Sequence, residues 1–174
     1  MPSCRLVKRP RCSGRDVIIA VIGGEAASKE EERAAFEAGS EIGRRGHVLV
    51  CGGRMGVMRE ACRGAREAGG HTIGILPGED RSEMNEFVEF PSVTGLGFAR
   101  NTIIARTADA LVAIGGRYGT LSEVAFALIC ERPVATVGTW NLELASGETA
   151  PIVACASARE AVDYCERAAK GARG

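Results

Sequence analysis

A chain of 174 residues, 45 % hydrophobic and 25 % charged, has the size and balance of one soluble globular domain and excludes a disordered chain. Its 22 basic and 22 acidic side chains cancel, which argues against a nucleic-acid binder, where a basic excess is expected. The 23 glycines exceed the ordinary usage of about 7 % and follow no collagen-like period, so they must serve turns and close backbone approaches.

Taken in order, the chain opens on Arg5, Lys8, Arg9, Arg11 and Arg15 with no acid among residues 1–15. Acid-free, arginine-rich starts also resemble organellar transit peptides, but no amphipathic pattern accompanies this one. A short, basic, disordered tail is expected, ahead of one domain over 16–174. Val17–Ile22 is the longest apolar run, too short to span a bilayer, and no secretory signal precedes it. A cytoplasmic protein without a membrane partner is expected.

Val17–Ile22 is unbroken and β-branched, as in a strand covered on both faces. After Gly23-Gly24, Ser28 with Glu31 forms a capping box that opens a helix to about Arg45. Val48–Cys51 predicts the next strand, Gly52-Gly53 a turn, and Val57–Ala68 a helix with an apolar stripe. Thr72–Leu76 predicts a third strand, and Phe87–Phe90 a short one within the irregular, acidic stretch 79–97. Helices over Phe98–Ala108 and Thr120–Cys130 flank a strand at Ala110–Ile114. Val134–Val137 and Ile152–Val153 predict the last strands, separated by a loop over 138–149. Ser157 with Glu160 caps a final helix to about Lys170. Short apolar runs alternating with helices predict a single doubly wound, Rossmann-like α/β domain, its sheet mainly parallel and flanked by helices.

Two loops in this pattern repeat each other: Gly52-Gly53-Arg54-Met55-Gly56 and Gly115-Gly116-Arg117-Tyr118-Gly119. Each follows a strand and opens a helix, where glycines admit a ligand to the backbone and unpaired N–H groups attract an anion such as a phosphate. Glycine pairs also make tight turns with no ligand; the repetition favours a shared site. Neither loop is a G-x-G-x-x-G or a P-loop motif. Only Lys8, Lys29 and Lys170 are lysines, which argues against a P-loop kinase. Seven cysteines and two distant histidines suggest neither a disulfide framework nor a metal site.

Cys51-Gly52-Gly53-Arg54-Met55-Gly56-Val57-Met58 resembles the GGGxxGLM motif of LOG-type proteins, the cytokinin-activating phosphoribohydrolases. Ile114-Gly115-Gly116-Arg117-Tyr118-Gly119-Thr120-Leu121-Ser122-Glu123 resembles their PGGxGTxxE motif. The stretch Thr94–Asn101 is more similar to a branch that includes molybdenum cofactor carrier proteins. The resemblance covers about Val17 to Val137. It implies that Gly52, Gly53, Gly56, Met58, Gly115, Gly116, Gly119 and Thr120 bind the phosphate or nucleotide, and that Arg100 and Glu123 are catalytic. The reaction implied is cleavage of the N-glycosidic bond of a nucleoside 5′-monophosphate to free base and ribose 5-phosphate, with no added cofactor or metal. The alternative implied is a non-catalytic carrier of a phosphate-bearing cofactor such as the molybdenum cofactor; a homodimer or higher homo-oligomer is expected either way. Ile114 replaces the motif proline, and Asn101 stands where the enzymes carry lysine. Thr120-x-x-Glu123 is also a capping box, which would give Glu123 a purely helical task. Proteins with these motifs have been labelled lysine decarboxylases, but no lysine lies beside either glycine loop to form a pyridoxal phosphate Schiff base.

Overall fold

The apolar runs form a seven-stranded, wholly parallel sheet in a computed structural model that describes residues 16–143 and 145–171. The basic tail lies outside the described residues. Strands β1 (Ile18–Gly23), β2 (Val48–Cys51) and β3 (His71–Leu76) alternate with helices α1 (Lys29–Arg44) and α2 (Val57–Glu67). An edge strand, β4 (Phe90–Val93), precedes a 3-10 turn at Gly97–Arg100 that continues into α3 (Asn101–Thr107). Then follow β5 (Ala110–Ile114), α4 (Tyr118–Ile129), β6 (Val134–Val137), β7 (Ile152–Ala154) and α5 (Ala158–Gly171). The spatial order is β4-β3-β2-β1-β5-β6-β7.

Side chains alternate across this sheet with the period of two that strands impose. From β1 and β5, Ile19, Val21, Val112 and Ile114 join one core beneath α1, α2 and α5. Ala20, Ile22, Leu111 and Ala113 join the other, beneath α3 and α4. That two-sided burial is why the central strands read as continuous apolar runs. α1 and α2 meet almost backbone to backbone: a Cβ on Gly39 would sit 2.0 Å from the Ala61 carbonyl oxygen, and one on Gly64 2.1 Å from that of Phe36.

Two elements depart from the sequence pattern. The fourth strand is Phe90–Val93, not Phe87–Phe90, because side chains claim the backbone just before it. Asn85 accepts from Phe87 N–H at 3.0 Å, and the Thr72 hydroxyl both donates to Phe87 C=O at 2.7 Å and accepts from Glu89 N–H at 2.9 Å. Secondly, α4 begins at Tyr118 rather than Thr120, with Arg117 as N-cap and no side-chain capping bond. Thr120 therefore lies inside the helix, and the capping box that its spacing suggested does not form. None of the described helices is long and apolar enough to cross a membrane.

Candidate functional site

The chain builds outward from β1 in one direction through β2, β3 and β4, then returns to place β5 on the other side of β1. Loops leaving β1 and β5 therefore diverge, and in open α/β sheets ligands occupy the crevice at such a reversal. A cleft of about 480 Å³ lies there, lined among others by Gly23, Gly24, Met58, Arg100, Gly116, Gly119, Thr120 and Glu123. That volume falls in the range of small-molecule sites.

Its base is a buried arginine–glutamate pair. Arg100, in the last position of the 3-10 turn, is 8 % exposed, and Glu123, on α4, is 6 % exposed. Arg100 Nη1 stands 3.6 Å from Glu123 Oε1, close enough to attract and too far for a hydrogen bond. Arg100 Nε and Nη1 are both buried without a hydrogen-bond partner. Burial pushes the Glu123 carboxyl up to about 8, against an opposing pull from the Arg100 charge. The same burial lowers the Arg100 pKa, which Glu123 and Cys51 partly restore; the guanidinium remains charged. At neutral pH the site thus holds a cation with free donors beside a protonated carboxyl.

The start of α4 adds further donors. The first helical hydrogen bond runs from Leu121 N–H to Arg117 C=O at 2.9 Å, so the N–H groups of Tyr118, Gly119 and Thr120 precede the ladder. Gly116 turns the chain at φ +91°, where a Cβ would strike Thr120 Oγ1 at 2.3 Å. Asn101 donates through Nδ2 to the Ser122 hydroxyl at 2.8 Å and ties α3 to this first turn. Asn101 also lines the cleft, to which its amide brings no charge.

The glycines of the first loop stand behind the site, and Arg54 is the residue of that loop in the cleft lining. A Cβ on Gly52 would lie 2.4 Å from Arg100 Nη2, so glycine is what lets the guanidinium seat there. Gly53 N–H donates to Cys51 Sγ at 3.3 Å, and its carbonyl accepts from Asn85. Gly56, at φ +63°, lets the chain pass the Glu25 carbonyl. Gly115 does the same for a carboxylate: Glu31 Oε1 is 1.6 Å from where a Cβ would be, while its other oxygen accepts from Ser28 N–H at 2.7 Å. Of the ten residues that the motifs point to, the cleft wall takes Arg100, Glu123, Met58, Gly116, Gly119 and Thr120; the other four support it.

Sequence reasoning passed over the β1 side. Gly23, Gly24, Glu25, Ala26 and Glu31 also line the cleft. Gly23-Gly24 at the end of the first strand was the available signal, and the capping box explained Glu31 without a ligand. Arg54, also in the lining, is held by Glu25 at 2.7 Å and by Glu83 of the acidic stretch at 3.0 Å. Cys51 and Cys62 lie with their sulfurs 3.4 Å apart, buried behind Gly52. No group of three or more His, Cys, Asp or Glu able to hold a metal occurs among the described residues.

The profile of the SLOG cluster4 family matches residues 16–163. A molybdenum cofactor binding protein from Rippkaea orientalis has a similar structure (TM-score 0.81, 35 % identity), covering 89 % of this chain and 98 % of that one. The molybdenum cofactor carrier protein of Chlamydomonas reinhardtii is as similar (TM-score 0.79, 37 % identity, 88 % and 98 % covered). A probable cytokinin riboside 5′-monophosphate phosphoribohydrolase of Oryza sativa subsp. japonica is 34 % identical over 118 residues, covering 61 % of this chain and 49 % of that enzyme. The chain thus spans about half the length of that plant relative.

Proposed function

The chain belongs to the SLOG cluster4 family, and from that premise we propose that it binds a nucleoside 5′-monophosphate in the cleft between β1 and β5 and hydrolyses its N-glycosidic bond. The observation that carries this reading is the buried pair: Arg100 with two unpartnered nitrogens, 3.6 Å from a carboxyl whose pKa is near 8. A group poised near the working pH is suited to proton transfer. Arg100 and the first N–H groups of α4 hold the phosphate and ribosyl oxygens. As the C1′–N bond breaks, its electron pair goes to the base, which takes the Glu123 proton. Water then adds to the oxocarbenium-like ribose and returns a proton to the Glu123 carboxylate. AMP plus water gives adenine plus ribose 5-phosphate.

A second reading, a carrier of a phosphate-bearing cofactor without turnover, is favoured by the two molybdenum cofactor proteins, which match nearly their full length. The residues present fit the phosphate of such a cargo, since the same unpartnered Arg100 donors await an anion. Either function is proposed for a cytoplasmic homo-oligomer. Support for self-association comes from α4, whose one charged side chain turns into the cleft while Tyr118, Ala125 and Ile129 stand exposed.

The test incubates the purified protein with AMP and separates the products by chromatography. Adenine and ribose 5-phosphate should appear in equal amounts, with kcat/KM falling above about pH 8 as Glu123 ionises. Release should drop at least about 100-fold in Glu123→Gln. No release, with a molybdenum-bearing pterin retained by the protein, would contradict hydrolysis and leave the carrier.

A further inference from the structure

Phe98 is 82 % exposed, yet it lines the cleft, two residues before Arg100. It is the one aromatic among the cleft's described lining residues. An apolar ring left in water costs free energy that a ligand face could recover. Nor is its position an accident of a loose loop. The turn that carries it is fastened to the end of β3 through Gly95 N–H to Gly78 C=O at 2.9 Å and Gly97 N–H to Pro77 C=O at 3.0 Å. Ala99 N–H closes the turn on Leu96 C=O at 3.1 Å. Gly95 and Gly97 take φ values of +63° and +52°, which side-chain-bearing residues rarely adopt. These bonds fix the backbone that carries the ring at the cleft.

From these observations, and resting on the reading of the cleft as a site for a phosphate-bearing ligand, we propose that Phe98 is the stacking platform for that ligand's planar heterocycle. Arg100 and the start of α4 take the anionic end; the Phe98 ring takes the flat, apolar end. Stacking on an aromatic side chain tolerates different ring systems, because each presents a π-face. Phe98 would then set the preference for ligands that carry a ring over bare sugar phosphates.

The experiment titrates wild type, Phe98→Ala and Phe98→Trp with AMP and, separately, with ribose 5-phosphate, which has the phosphate and no ring. Phe98→Ala should weaken AMP binding about tenfold and leave ribose 5-phosphate within twofold of wild type. Phe98→Trp should keep AMP affinity and change its indole emission with AMP but not with ribose 5-phosphate. Equal effects on both ligands, or none on either, would overturn the assignment. So would a Phe98→Ala protein with unchanged AMP binding and a smaller assembly mass by light scattering, which would give the ring to a contact between copies. If wild type binds neither ligand, the reading of the cleft itself fails, and the inference with it.

Discussion

Arg100 and Glu123 sit where their own contacts do not satisfy them. An unpartnered buried polar group costs about 1–3 kcal/mol, and Arg100 has two such nitrogens while Glu123 stays 3.6 Å away. Few buried polar groups in folded proteins go without a partner, and a ligand is one way to supply it. Glu123 makes the cost visible in pH. Its pKa is about 8 in the folded protein against an ordinary 4.5, so between those values the native state binds more protons than the unfolded state. Stability then falls as pH rises. Glu123→Gln removes this contribution. Urea unfolding at pH 5 and pH 8 should show a shallower loss in the variant, with the variant the more stable at pH 8. The difference in slope, integrated over the interval, should be on the order of 4 kcal/mol. Parallel pH dependences would mean that Glu123 is ionised throughout.

At the scale of elements, two helices pack glycine against backbone. α1 and α2 approach through Gly39 and Gly64, each facing a carbonyl of the other helix. Gly64→Ala would force them apart, and overpacking of this kind typically costs about 1–3 kcal/mol. A lowered urea midpoint with an unchanged m-value is the expected result; a midpoint equal to wild type would show that the helices slide without cost. The elements that the sequence made legible are those whose pattern has one cause. β1, β2, β5 and β6 are apolar runs because both faces are covered, and α1 starts where Ser28 and Glu31 satisfy each other's backbone. β4 and the start of α4 depart from the sequence pattern because the deciding partners lie elsewhere. Thr72 and Asn85 capture the backbone at 87–89, and α4 opens at Arg117 without any side-chain signal.

The whole molecule brings together what the sequence separates. Arg100, Glu123 and the second glycine loop could be singled out from motifs, since each lies in a short, distinctive string. Glu31 could not, because only the order β2-β1-β5 sets it opposite Gly115. Gly52, which the motif assigns to the phosphate cradle, also leaves the space in which the Arg100 guanidinium sits. Anion binding is the central claim, and an isothermal titration of wild type and Arg100→Met with ribose 5-phosphate, alongside thermal melts of both, tests it most directly. Wild type should bind, and the variant should bind roughly 30-fold more weakly, as expected for a lost charge-assisted hydrogen bond, while melting at or above the wild-type temperature. Equal affinity, or a variant that binds as wild type and melts well below it, would contradict the account and make Arg100 a structural residue.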